Sequence, residues 1–213
     1  MKFLLLVLFT SCATFFPAKY FTPDEAQQMK KVAVVTFFPN VVTIVKSPFE
    51  RDEYFEMSEG NLWEHANNEI SKILKNQLPN VEFEMINGDR SPSSKEIMKD
   101  YSERLSKKGF DHILYCFSFS RIVGHVPGFS LIGKDLEDDI TATFKFRATL
   151  YNIKTNELIV WKDSFEHSHK VETFKFPKNM SDSKRMVLLS KKMKSVIDAN
   201  VVKTFSRMLK QKL

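Results

Sequence analysis

Ile140-Thr141-Ala142-Thr143-Phe144-Lys145-Phe146-Arg147-Ala148-Thr149-Leu150-Tyr151-Asn152 is the stretch that decides the fold. Ile140, Ala142, Phe144, Phe146, Ala148 and Leu150 occupy every second position, with Thr141, Thr143, Lys145, Arg147, Thr149 and Tyr151 between them. A period of two sends successive side chains to opposite faces, so the pattern predicts one long strand with a buried face and a wet face. Lys154-Thr155-Asn156-Glu157 follows as a hairpin turn, and Leu158 to Phe165 returns as the antiparallel partner.

Upstream, Lys31-Val32-Ala33-Val34-Val35-Thr36-Phe37-Phe38 is an almost unbroken apolar run, the mark of a central strand covered on both faces. Leu62 to Leu78 reads as a helix capped by Asn61, with Leu62, Ala66, Ile70, Ile73 and Leu74 as its buried stripe. Val81 to Ile86 alternates and is the second strand. Ser93-Ser94-Lys95-Glu96 opens another helix in capping-box fashion, which runs to about Lys108 with Gly109 as its C-cap. Asp111 to Arg121 is the third strand. Between the first strand and helix, residues 39–61 read as an irregular insertion, with Val41 to Val45 a candidate strand. The last helix spans 182–210, with an apolar stripe of Met186, Leu189, Met193, Val196, Ile197, Val201, Phe205 and Met208.

The predicted order is β-α-β-α-β-β-β-α. Early βαβ crossovers give parallel strands and the late hairpin adds antiparallel ones. The expectation is an α/β (α+β) fold: a single domain over residues 31–213, built on a mixed sheet of about five strands with helices mainly on one face. A chain of 213 residues suits one core. Its 20 Phe point to an aromatic-rich sheet core, and its 6 Gly argue against glycine-rich loops that cradle phosphates.

The amino terminus reads as an export address. Met1-Lys2 is a positive start, Phe3 to Phe9 an apolar run far short of the roughly 20 residues a spanning helix needs, and Thr10-Ser11-Cys12-Ala13 a small-residue processing site. Phe9-Thr10-Ser11-Cys12 resembles a bacterial lipobox. The resemblance implies that residues 1–11 are a lipoprotein signal peptide and that the Cys12 thiol takes a diacylglycerol. It further implies cleavage before Cys12 and N-acylation, often by palmitate. Residues 12–30 would then be the lipidated cysteine, a tether and a short helix starting at Thr22-Pro23-Asp24-Glu25. An ordinary cleaved signal and an N-terminal apolar strand are the alternatives. With Cys12 acylated, Cys116 is the one thiol left, and no intramolecular disulfide can form.

A second resemblance rests on three short stretches. Lys31 to Val35 starts a strand behind the lipidated tail. Gly109-Phe110-Asp111-His112-Ile113-Leu114 opens another, and Leu150 to Trp161 forms a hairpin with Thr155-Asn156 at its tip. Together they are similar to the periplasmic α/β domain of CsgG-type envelope lipoproteins and to the amino-terminal domain of TolB, over roughly residues 31–166. The resemblance implies an accessory role in envelope assembly, secretion or transport, with no enzymatic activity.

Three functions follow as expectations. The first is a non-enzymatic lipoprotein, periplasm-facing at the outer membrane. It would be held there by acyl chains on Cys12 and bind a protein partner or a second copy of itself. It takes no cofactor and no nucleic acid, and its contact surfaces are the apolar loop 123–133, around Val126, Phe129, Leu131 and Ile132, and the insertion 39–61. The second is an oligomeric secretion-channel or pore subunit, which requires residues 39–61 or 122–139 to form amphipathic membrane strands. The third is a metal-dependent hydrolase centred on His167 and His169, whose spacing puts both imidazoles on one side of a strand but leaves a zinc ion short of ligands. The charge is lopsided: of the 32 Lys and Arg in the chain, 10 lie in residues 178–213, against 2 of the 26 acids. Any electrostatic partner would therefore meet the C-terminal segment.

Overall fold

The computed structural model describes residues 21–38, 41–45, 53–56, 61–90, 94–117, 128–133, 139–164 and 170–209. Strands β1 (Lys31–Phe37), β4 (Glu82–Asn87), β5 (His112–Phe117), β8 (Arg147–Asn152) and β9 (Glu157–Asp163) form a five-stranded mixed sheet in the order β4-β1-β5-β8-β9. β1 runs parallel to β4 and β5, and β5, β8 and β9 are mutually antiparallel. A mixed sheet of five strands, with early parallel and late antiparallel pairing, is what the sequence predicts; the order of the strands is new. A second sheet was not foreseen. It has the order β10-β7-β6-β2-β3 and takes β2 (Val41–Val45), β3 (Glu53–Glu56), β6 (Gly128–Ile132), β7 (Ile140–Lys145) and β10 (Glu172–Phe174).

The strand read as continuous from 140 to 152 is therefore two strands, β7 and β8, in different sheets. They part at Phe146, whose N–H donates to Ser164 Oγ at 2.8 Å and whose carbonyl accepts the Ser164 N–H at 2.8 Å. Ile140, Ala142, Phe144, Phe146, Ala148 and Leu150 are all at most 2% exposed. The same face points inward on both sides of the break, so the alternation passes through it unchanged.

The insertion 39–61 contains the β2–β3 hairpin, and the segment read as an apolar loop contains β6, parallel to β2 and antiparallel to β7. Phe129 and Leu131 are each 1% exposed. They are core residues, and the expectation that they form a contact surface is corrected. Alternate positions of a strand bury themselves against the layer beneath. Ile132, next in register, is exposed. Val126 lies outside the described residues.

Four helices cover the main sheet. α1 (Pro23–Gln28) is held by a complete Thr22–Glu25 capping box. α2 (Leu62–Gln77) is capped by Asn61 and α3 (Lys95–Ser106) by Ser94. α4 (Asp182–Met208) buries the predicted stripe from Leu189 to Met208. α1, α2 and α4 pack on one face with Val32, Val34 and Leu114, while α3 packs alone on the other with Ala33, Val35 and Tyr115. Phe129, Phe144, Phe146 and Phe205 form a run of rings with centroids 4.8, 5.1 and 6.3 Å apart. It links the second sheet, the break and α4 in one apolar column. Each such ring contributes about 1.5–3 kcal/mol by leaving water.

Candidate functional site

α2 and α3 lie on opposite faces of the main sheet and leave a cleft of about 930 Å³ along the outer edge of β4, with Trp63 and Asn67 of α2 on one wall and Tyr101, Arg104 and Leu105 of α3 on the other.

The carboxyl end of the cleft is braced by a polar cluster. The Tyr101 hydroxyl donates to Asp89 Oδ1 at 2.6 Å, lies 3.1 Å from the Arg90 carbonyl and accepts the Arg90 N–H at 3.2 Å. It reaches that far because residue 88 is glycine. A Cβ there would sit 3.1 Å from the hydroxyl and 3.2 Å from the Thr36 carbonyl oxygen. Arg104 stacks 4.7 Å above the Tyr101 ring and pairs with Asp100 at 3.3 Å and Asp89 at 3.5 Å. Arg90 pairs with Asp100 as well. The bond from Tyr101 holds the Asp89 carboxyl below its usual range, and burial with the same bond pushes the phenol up. Near neutral pH Asp89 is a poor base and Tyr101 a poor nucleophile.

The edge itself is unpaired among the described residues, because β4 is the last strand of its sheet. Glu82 and Gly88 donate their N–H groups to the carbonyls of Lys30 and Thr36. In a parallel ladder that fixes the even-numbered residues as facing β1, and turns the backbone groups of Phe83, Met85 and Asn87 outward. On the α2 wall Asn67 is 8% exposed and its Oδ1 has no protein partner. Lys107 and Lys108 extend the α3 wall, both exposed, with no ion pair among the described residues.

The other singled-out residues take structural places. Asp111, in the stretch matched to the family pattern, accepts the N–H groups of Lys30 and Lys31 on Oδ2 at 2.9 and 3.1 Å and contacts His112 Nδ1 through Oδ1 at 2.6 Å. It locks β5 to the start of β1. Asn156 has φ 52°, the left-handed conformation the hairpin turn requires. Gly109 has φ 81° after α3. Cys116 is fully buried, and desolvation pushes its thiol far up. Cys12, His167 and His169 lie outside the described residues, and within those described no three His, Cys, Asp or Glu side chains gather as metal ligands. No described helix is long and apolar enough to cross a membrane. The outer face of α4 exposes Val187 and Val202 beside Lys191 and Lys194, and Asp198 there meets His65 Nε2 at 2.6 Å.

No family model and no curated protein matches the chain. Solved structures overlap it at low identity. The PelC dodecamer from Paraburkholderia phytofirmans is 9% identical with a TM-score of 0.38, covering 87% of this chain and 90% of that one. Lipoprotein GNA1162 from Neisseria meningitidis is 13% identical with a TM-score of 0.31, covering 76% and 93%. The LpoB C-terminal domain from Salmonella enterica is 12% identical with a TM-score of 0.24, covering 68% and 82%. At these scores the overlaps assign neither a family nor a site to this chain.

Proposed function

We propose that this chain is a non-enzymatic lipoprotein of the bacterial cell envelope, periplasm-facing at the outer membrane. It serves envelope assembly, secretion or transport by presenting the β4 cleft to a protein partner. The observation that carries the reading is the open edge of β4 between α2 and α3. Such an edge offers hydrogen bonds to another backbone. Asp89, Arg90, Asp100, Tyr101 and Arg104 at its carboxyl end are bonded to one another, and the lowered pKa of Asp89 and raised pKa of Tyr101 disfavour acid–base or nucleophilic chemistry there. The anchor is Cys12. Two or three acyl chains give stable membrane attachment where a single chain is marginal.

The test is fractionation of cells expressing the wild type and Cys12→Ser, together with in-cell crosslinking from a photoreactive residue placed at Asn87 on the cleft rim. The reading expects wild type in the outer-membrane fraction, release from it in the variant, and a discrete crosslinked partner. A cytosolic wild type, or a variant as firmly bound as wild type, would overturn the anchor. Absence of any crosslink from the rim would overturn the cleft.

A further inference from the structure

We infer that β4 takes a sixth strand: an extended segment of a partner protein, bearing a carboxylate side chain, docks along it between α2 and α3. This rests on the binding-module reading above and names what the cleft receives.

The backbone supplies the first argument. Phe83, Met85 and Asn87 turn their N–H and carbonyl groups away from β1, and β4 has no neighbour beyond β1 among the described residues. Six residues of strand give a docking edge of roughly 20 Å. Glu82 and Glu84 lie on this edge, held by Lys31 at 3.2 and 3.9 Å. Charges so placed discourage indiscriminate pairing of edges while leaving the outward backbone free.

The walls supply the second. Alternate side chains of a docked strand fall toward opposite faces of the sheet, one set toward α2 and the other toward α3. On the α2 side the buried Asn67 Oδ1 lacks a donor. A buried acceptor left unpaired is costly, so the guest side chain there is one with a hydroxyl or amide. On the α3 side Arg90 and Arg104 are already engaged by Asp89 and Asp100. Lys31 answers one of the two carboxylates of Glu82 and Glu84, and Lys107 and Lys108 have no ion pair among the described residues, so the wall keeps a net positive charge that favours a carboxylate on the guest.

The probe is a phage-displayed library of random linear dodecapeptides, selected against the full-length acylated protein in detergent micelles. Selected peptides are then synthesised and their binding measured to wild type, Met85→Pro and the double variant Lys107→Glu/Lys108→Glu. Proline at 85 deletes an outward N–H and none that faces β1, so the sheet's own ladder stands. The expected result is peptides rich in Asp or Glu that shift the amide resonances of Phe83, Met85 and Asn87 and bind each variant roughly tenfold more weakly or worse.

Should Met85→Pro fail to fold, N-methylating alternate residues of the peptide tests the same backbone bonds without altering the protein. One of the two methylation registers must abolish binding. Peptides that perturb resonances elsewhere, tolerance of both registers, or no selected peptide would overturn the inference. So would self-association of the wild type that Met85→Pro abolishes, which would assign the edge to a second copy. Fractionation of the same variants keeps the two readings apart: failure of strand docking with Cys12 anchoring intact removes this inference alone.

Discussion

Ser164 bonds both backbone groups of Phe146, through its hydroxyl oxygen and its own N–H, each at 2.8 Å. This pair lets one run of alternating residues serve two sheets, because a strand that leaves one ladder for another exposes backbone groups that something must satisfy. Asp163, beside it, holds Arg147 in two-point contact at 2.6 and 2.7 Å, and Arg147 lies 4.8 Å above the Trp161 ring.

Ser164→Ala removes the acceptor for a buried N–H while leaving the volume nearly unchanged. The expected cost is about 1–3 kcal/mol of folding stability. Urea unfolding checks it: the midpoint falls with the slope unchanged. A midpoint equal to wild type would mean that the break at Phe146 does not depend on this bond.

Asn200 is fully buried in α4 and ties down the chain on both sides of its amide. Its Oδ1 accepts the Lys170 N–H at 2.9 Å, and its Nδ2 donates to the Lys170 carbonyl at 2.9 Å and the Phe144 carbonyl at 3.3 Å. Asn200→Ala removes all three bonds and leaves the buried Phe144 carbonyl, among the described residues, with only the long contact from the Ser164 hydroxyl at 3.5 Å. A loss of about 2–4 kcal/mol is expected, with faster hydrogen exchange at the Lys170 amide. Unchanged exchange at that amide would contradict the assignment.

The Asp89–Tyr101 bond has a pH signature. The folded pKa of Asp89 is below its unfolded value. Its contribution is therefore complete above the unfolded carboxylate range and is lost as pH falls through the folded value. Tyr101→Phe removes the largest cause of the shift, so the Asp89 carboxyl carbon should titrate at higher pH in that variant by NMR. The side chain is 57% exposed, so water screens the effect on stability, and the titration itself is the readout.

Cys116 gives the opposite sign. Burial raises its folded pKa above the unfolded one, so its contribution is complete below the unfolded thiol range and is lost as pH rises beyond it. With Cys12 acylated, a thiol reagent at pH 8 should modify native protein only as fast as it unfolds, and modify urea-unfolded protein at once. Rapid modification of the native protein would place Cys116 in contact with solvent.

Much of the fold was legible because it is written in local signals. Asn61, Ser94 and Gly109 mark helix ends, the stripes of α2 and α4 mark their buried faces, and the Thr155-Asn156 turn marks the hairpin. The break at Phe146 was not legible, since inward-facing residues keep their period across it and its cause, Ser164, lies eighteen residues away. The second sheet was hidden for a related reason. β3 and β10 are only four and three residues long, too short for alternation to register. The β4 edge could not be read either. Glu82 and Glu84 signal a strand with a wet face, but its position at the end of the sheet depends on β5 crossing to the far side of β1, which no local pattern records. The single trace of the brace is the spacing of Asp89, Arg90, Asp100, Tyr101 and Arg104, meaningful only once α3 folds back over β4.

The central claim is that this domain hangs from a lipid on Cys12 and offers its β4 edge to a partner. Intact mass spectrometry of the protein purified from membranes tests the anchor most directly. The account predicts a chain beginning at Cys12 and heavier than its residues by a diacylglycerol and an N-acyl group. A chain that begins at Met1 with a free thiol at Cys12 would contradict it.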